Sequence, residues 1–377
     1  MILQGKRVWL NSQFVSAALK LKDGKIEQVL DYDSEKADID YGDAMVLPGF
    51  IDVHCHGAYG FDTNDATIEG IEHWAKGIAK EGLTGFLPTT VTHSPEVLTS
   101  ALKNVARYAS QKHDGAAVLG VHFEGPYLNM KNKGAQPPEY ILAPSVEQFK
   151  KFQEDANGLI KYITLAVEED PDFALTRYAS QNGVVVSIGH SGATYQQAML
   201  GYANGATSTT HTFNGMNPLN HRQPNLVGAV MRNHDVYGEI IADGNHVVWP
   251  VINILANQKG KDHLIMVTDS LSVKGSKPGI YLLGGHEVEM RTNGSAYLVG
   301  TDTLAGSTLK FNEGLRNLVE YAELPFEWAI NALSANPARC LGLKTKGRIV
   351  AGYDADLAIL KDDYAVIQTY VNGKAQL

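Results

Sequence analysis

Several absences narrow the class of this chain before any motif is read. Only 2 of its 377 residues are cysteine, Cys55 and Cys340. No disulfide framework can be built from so few, and a reducing compartment is expected. No apolar run approaches the roughly 18 residues that a membrane span requires. The opening residues Met1, Ile2, Leu3, Gln4, Gly5, Lys6 and Arg7 lack the apolar core of a secretory signal. The expectation is a cytoplasmic protein without a membrane partner. Positive charge is not in excess either: 32 Lys and Arg stand against 41 Asp and Glu, a net charge of -9. That balance argues against a general nucleic-acid partner, while leaving room for a local basic pocket that takes a small anion. No Walker-type or dinucleotide-binding glycine loop is present, and there is no short-period repeat or low-complexity tract.

What is present is an ordinary globular composition, 44% hydrophobic and 19% charged, in a chain long enough for one large domain and a smaller one. Residues 1–45 read as short strands and turns, with apolar runs at 8–10, 17–21 and 28–30. Residues 346–377 read alike, with runs at 347–350, 357–360 and 365–371. Two strand-rich ends around a different middle predict one small β-sandwich domain made from both termini. In the middle, 46–345, apolar strand-like runs fall at 46–53, 85–90, 117–123, 162–167, 183–188, 208–212, 237–242 and 263–268. Helix-like segments separate most of them, at 67–80, 94–109, 145–155, 171–180, 194–204 and 247–258. Eight such alternations predict an α/β fold with a (β/α)₈ TIM-like barrel. A doubly wound open sheet shows the same alternation, and the count of eight favours the barrel.

In a barrel the active groups stand at the C-terminal ends of the strands, and here those ends carry chemistry. The first ends in Asp52, Val53, His54, Cys55, His56 and Gly57; residues two apart on a strand share a face, so both histidines aim at one spot. The third ends in His122, Phe123 and Glu124, the fifth in Gly189 and His190, the sixth in His211, and the eighth in Thr268 and Asp269. Imidazole and carboxylate suit one or two divalent ions, Zn²⁺ or Fe²⁺ foremost. His54 and His56 would hold one, His190 and His211 the other, with Glu124 between them. Such an ion brings the pKa of bound water from about 15.7 to roughly 7, and Asp269 is placed to take the proton and return it to a leaving group. Cys55 faces the other way and reads as packing. His122 shares a face with Glu124, as second support or as core. His93 and His246 follow the second and seventh strands and are candidates for substrate contact or solvated loop residues. His263 begins the eighth strand and reads as structural. Arg222, in a loop after the sixth strand, is either solvated or a clamp on phosphate.

The run Leu47, Pro48, Gly49, Phe50, Ile51, Asp52, Val53, His54, Cys55, His56, Gly57 resembles the signature of the amidohydrolase superfamily. More narrowly, His122-Phe123-Glu124-Gly125-Pro126, Gly189-His190-Ser191, His211-Thr212-Phe213-Asn214-Gly215-Met216, Asp243-Gly244-Asn245-His246, Thr268-Asp269-Ser270 and Leu304-Ala305-Gly306-Ser307 are similar, in order and over nearly the whole chain, to the N-acetylglucosamine-6-phosphate deacetylase family. The resemblance implies a barrel with a small β-sandwich, a homodimer, and metal-dependent hydrolysis of the acetamide of a sugar phosphate. It implies Glu124, His190 and His211 as ligands of the central metal and Asp269 as acid and base. Asn214, Gly215 and His246 would line the sugar-phosphate pocket, Leu304, Ala305 and Gly306 the acetamido side, and Arg222 would reach the neighbouring subunit's site. Two departures stand out. Some members lack the His-x-His pair and use one metal, whereas this chain has both histidines. Some carry a histidine where the segment Lys133-Gly134-Ala135-Gln136 has Gln136, next to Ala135, so a donor that polarises the carbonyl is replaced by an amide. Two rival readings are another amidohydrolase, such as an N-acyl amino acid or cyclic amide hydrolase, and an inactive barrel that serves as a binding protein. Cyclic-amide enzymes typically use a carboxylated Lys, and no lysine stands in the place of Glu124.

Overall fold

The computed structural model describes residues 1–283 and 286–377. Eight parallel strands run in the expected alternation: β1 (Phe50–Cys55), β2 (Leu83–Pro88), β3 (Val121–Glu124), β4 (Ile160–Leu165), β5 (Val185–Ile188), β6 (Ala206–Thr209), β7 (Tyr237–Ile241) and β8 (Leu264–Val267). Their residues are almost all buried, as parallel strands covered on both faces require. Ile51 and Val53 of β1, Leu87 of β2, Tyr162 of β4, Tyr237 and Ile241 of β7, and Ile265 and Val267 of β8 pack into one cluster that fills the barrel. Leu264 and Met266, the alternate residues of β8, join the outer cluster between strands and helices. The helices supply the other half of that cluster. Pro95–Ala109 buries Leu98, Ala101, Leu102, Val105 and Tyr108, a three-and-four spacing that makes one apolar stripe. Tyr195–Ala203 begins at a capping box in which Thr194 and Gln197 satisfy each other's backbone N–H groups.

The barrel is not one continuous ladder. β3 to β8 form a six-stranded sheet, while β1 and β2, with Ala117–Val118, form a separate three-stranded one. Single bridges join the two: Thr89 with His122 on one side, Cys55 with Ser270 on the other. At the second seam Asp269 N donates to His54 O at 2.9 Å and His56 N to Ser270 O at 2.9 Å.

The terminal strands form one eight-stranded sheet, in the order Lys374–Ala375, Val366–Val371, Leu357–Leu360, Met45–Pro48, Ile2–Leu10, Gln13–Lys22, Lys25–Asp31, with Ile39–Asp40 also beside Ile2–Leu10. Strands from its two ends meet over a single core: Ile26 and Tyr370 share a cluster with Leu3, Leu19, Leu357 and Ile359. The sandwich expected from the sequence is thus a single sheet folded over on itself. The expected strand 46–53 is two strands, because the chain turns at Gly49. A β-carbon there would lie 2.3 Å from Thr84 Cγ2, so only glycine lets the backbone pass from one sheet to the other. Residues 347–350, read as a strand, carry no strand pairing.

After β8 comes an element the sequence reading did not anticipate. Gly279–Leu283, His286–Met290, Ser295–Leu298 and Leu304–Ser307 make a four-stranded antiparallel sheet. Its last strand bridges back to the barrel, with Ser307 N donating to Asp269 O at 2.8 Å.

Candidate metal centre

Two buried triads face each other at the C-terminal mouth of the barrel. His54, His56 and Asp269 form one; Glu124, His190 and His211 form the other. Glu124 lies between them, with Oε1 3.4 Å from His54 Nε2, 3.4 Å from His190 Nε2 and 3.5 Å from His211 Nε2, and Oε2 3.2 Å from His56 Nε2. Asp269 Oδ1 is 3.1 Å from His56 Nε2 and 3.5 Å from His54 Nε2. The structure therefore brings all five predicted ligands and the predicted base, Asp269, within a few ångströms of one another.

Local backbone explains how. Glu124 ends β3, whereas His190, His211 and Asp269 each follow the last residue of a strand by two. All three have left-handed backbone, with φ of 44°, 26° and 49°. Such conformations cost on the order of 1–3 kcal/mol each for a non-glycine residue, and persist where the surroundings enforce them. Here they turn each side chain from the strand direction inward over the barrel axis. On β1 the ladder with β2 slips between Asp52 and Cys55, and an irregularity of this kind re-aims side chains. Asp52 anchors it, accepting from His54 N at 3.1 Å and from Thr268 Oγ1 at 2.6 Å.

The electrostatics fit a cation. Burial opposes ionisation of Glu124, yet the charges of His54 and His190 beside it hold its carboxyl well below its ordinary value. Burial likewise opposes charge on His54 and His56, but Glu124 and Asp269 push His54 well above 6.5, and their hydrogen bonds and charge bring His56 up to about 10. Asp269 is held low by His54 and His56 against the cost of burial. Two buried carboxylates among four imidazoles thus demand positive charge, from protons or from metal. Among the described residues Glu124 Oε1 is buried with no hydrogen-bond partner, as are His56 Nδ1 and His211 Nδ1. An orphaned carboxylate oxygen aimed at three imidazole nitrogens is what a metal ligand looks like before its ion arrives.

A cavity of about 770 Å³ opens above the triads. Ala135, Gln136, Asn214, Gly215, His246, Leu304, Ala305 and Gly306 all line it, as do His56, Glu124, His190, His211 and Asp269. Gly306 lies so close that a β-carbon would meet Asp269 O at 2.8 Å, and its φ is +85°. Gln136 Nε2 donates to Glu124 Oε2 at 2.8 Å, and Gln136 Oε1 accepts from Thr92 N at 2.8 Å. Both ends of that amide are engaged, so it orients the central carboxylate. His246 Nδ1 pairs with Asp243 Oδ2 at 2.7 Å. Burial disfavours its charge, but the Asp243 bond and charge raise it above 6.5. Arg222 is not among the residues that line the cavity; it is exposed, and among the described residues only its backbone N–H is tied, to Asn220 Oδ1 at 3.0 Å.

His93 lines the cavity and stacks on Tyr140 at 4.6 Å. His122 packs edge-on against His54 at 4.5 Å and bridges Val53 O and Thr164 Oγ1, neutral because burial drives it well below 6.5. Cys55 is buried in the outer core, and His263 sits at the far end of the barrel against Tyr237. The sequence reading missed the apolar wall of Leu282, Val288 and Leu298. Its signals were the Glu287-Val288-Glu289-Met290 alternation and Asn293-Gly294 between two strands. It also missed Glu239, a lone carboxylate inside an apolar strand.

Comparison with known proteins agrees with this geometry. Residues 45–375 match the model of the amidohydrolase family. A Bacillus subtilis (strain 168) N-acetylglucosamine-6-phosphate deacetylase is 40% identical over 337 residues, 88% of this chain and 84% of the relative. An N-acetylgalactosamine-6-phosphate deacetylase of Escherichia coli O157:H7 is 34% identical over 331 residues, 88% of this chain and 87% of the relative. A solved Mycobacterium smegmatis N-acetyl-D-glucosamine-6-phosphate deacetylase, in complex with N-acetyl-D-glucosamine-6-phosphate, superposes with a TM-score of 0.95 at 30% identity, covering 100% of this chain and 99% of that one. The chain belongs to the amidohydrolase family and, within it, to the N-acetylglucosamine-6-phosphate deacetylases.

Proposed function

We infer that this protein hydrolyses the acetamide of N-acetyl-D-glucosamine 6-phosphate to D-glucosamine 6-phosphate and acetate, a step of amino-sugar breakdown. The observation that carries the reading is the pair of buried triads around Glu124 under one cavity, in a chain that shares 40% identity with such a deacetylase. An amide resists hydrolysis because its carbonyl is a weak electrophile and its amine a poor leaving group. Glu124, His190 and His211 would hold one divalent cation, and His54, His56 and Asp269 a second, Zn²⁺ or Fe²⁺ by their mixed nitrogen and oxygen donors. Such an ion, when bound, makes water acidic enough to attack at neutral pH and polarises the carbonyl.

The chain's own residues do the rest. Asp269, ionised at the outset, accepts a proton from the attacking water. It returns that proton to the sugar nitrogen as the C–N bond breaks, so the amine leaves neutral. His246, whose charged form Asp243 favours against burial, and the backbone at Asn214 and Gly215 hold the phosphate end; Leu304, Ala305 and Gly306 close over the acetamide. Fixing a group remote from the reacting bond orients the amide for attack. Arg222, free of side-chain partners among the described residues, completes the phosphate site of a second subunit in a homodimer. Gln136 stands where some members carry histidine: a second cation, when bound, would supply the carbonyl polarisation, and the amide serves Glu124 instead. One ion per subunit in an active, metal-replete preparation would end that link. Two free cysteines and a phosphorylated substrate support a cytoplasmic enzyme.

The test is acetate release from N-acetylglucosamine 6-phosphate, with and without a chelator, beside the 4-epimer and the unphosphorylated sugar. Release from the glucosamine phosphate, abolished by chelation and restored by Zn²⁺ or Fe²⁺, is expected. No release from any amino-sugar phosphate in metal-replete protein would overturn the reading.

A further inference from the structure

Glu239 has no part in the chemistry just described, yet it touches both triads. It lies on β7 and is completely buried. Its Oε2 accepts from His54 Nδ1 at 3.0 Å and from the backbone N–H of His211 at 3.1 Å. Its Oε1 accepts from the hydroxyl of Tyr162, which also lies 2.6 Å from Ser208 Oγ. Among the described residues no lysine or arginine balances it; its ion-pair partner is His54. A buried carboxylate without a cationic partner is costly, so the compensation must come through His54 from whatever His54 binds.

A neutral imidazole carries one N–H. With Nδ1–H given to Glu239, the lone pair of His54 stays on Nε2, 3.4 Å from Glu124 Oε1 and 3.5 Å from Asp269 Oδ1. The other three imidazoles of the cluster are held more weakly. His56 Nδ1 and His211 Nδ1 lack partners among the described residues, and His190 Nδ1 meets a neutral carbonyl, Asn132 O, at 2.9 Å. A carboxylate behind a ligand histidine fixes its tautomer and raises its basicity.

We propose that Glu239 is the positioning residue that enables the His54–His56–Asp269 triad to hold its cation. It does so by fixing His54 with Nε2 free and by supplying the negative charge behind it. The assignment rests on the two-cation reading above. Glu239→Gln isolates the charge, since an amide oxygen can keep both Oε2 contacts while its NH₂ donates to Tyr162 and Tyr162 donates to Ser208. Glu239→Asp keeps the charge on a shorter stem.

The experiment titrates Zn²⁺ into chelator-stripped parent and variants, with metal content per chain and the melting temperature of each metal-free protein. Expected are two ions in the parent, a second ion bound about 10- to 100-fold more weakly by Glu239→Gln, an unchanged first ion, and partial recovery in Glu239→Asp. Metal-free melting temperatures should agree within a few degrees. Equal affinities for both ions in Glu239→Gln and parent would overturn the assignment alone. Equal weakening of both ions, or a large fall in metal-free stability, would make Glu239 a general structural residue and overturn it too. A single ion in the parent would remove the two-cation reading, and the assignment with it.

Discussion

The two triads differ in what holds them. Glu124, His190 and His211 all issue from β3, β5 and β6 of one unbroken six-stranded ladder. His54, His56 and Asp269 straddle the seam where that ladder stops, with β1 in a separate sheet joined to the segment after β8 by a single bridge. The first triad is as rigid as the sheet beneath it. The second keeps its spacing only while the seam stays closed, and there buried Asp52 ties β1 to the end of β8 by accepting from Thr268 Oγ1 at 2.6 Å. An ion in the ladder triad is therefore read as essential, and an ion in the seam triad as an addition that also fastens the barrel.

The sharpest way to break that ranking is to cut each triad in turn. His190→Ala should lose about 1000-fold or more in kcat/KM together with the ladder ion, since a Lewis acid is worth several kcal/mol in such a transition state. His56→Ala should lose the seam ion and only about 10- to 100-fold. Equal losses of ions and rate in the two variants would erase the distinction. Asp269→Asn comes next, with kcat down by roughly 10²- to 10⁴-fold while the ladder ion stays bound. Near-normal turnover would take Asp269 out of the proton path. A smaller effect concerns stability. Saturating Zn²⁺ should raise the melting temperature of chelator-stripped parent by several degrees, and that of His56→Ala by less, because only the parent gains an ion across the seam. Identical gains would mean the seam ion fastens nothing.

Much of this was legible in the sequence because of where parallel barrels put their chemistry. The apolar runs of β1, β3, β5, β6 and β8 end in, or lead within two residues to, a histidine or a carboxylate, so reading strand ends recovers Glu124, His190, His211 and Asp269 directly. The left-handed turn that aims the last three is not legible, since none is a glycine and the strain is imposed by the surrounding fold. Glu239 was hidden for a related reason: within Tyr237–Ile241 it reads as the polar face of a strand, and only the three-dimensional partners His54 and Tyr162 give it meaning. The split at Gly49 was masked because Met45–Pro48 and Phe50–Cys55 are both apolar and adjacent, although they belong to different sheets. The four-stranded sheet after β8 is hard to read because its short strands, joined by turns such as Asn293-Gly294, stand outside the alternation of strand and helix that makes the barrel.

The smallest expected effect reaches the far wall of the cavity, where neither triad acts. His246 is raised above 6.5 by Asp243, so it remains protonated at pH values where an ordinary histidine has lost its charge. If it meets the phosphate, whose second pKa is about 6, KM is lowest in the window from roughly that pKa up to the raised value, and climbs as His246 deprotonates above it. Asp243→Asn removes the carboxylate that raises it, so the climb in KM should start at lower pH, by a few-fold at neutrality, with kcat and metal content close to the parent. A structural role for the pair would lower kcat and stability without moving the pH at which KM turns upward. A KM profile on the phosphorylated substrate that is the same in parent and variant would show that His246 does not carry the phosphate, and would leave that contact to Arg222 and the backbone at Asn214 and Gly215.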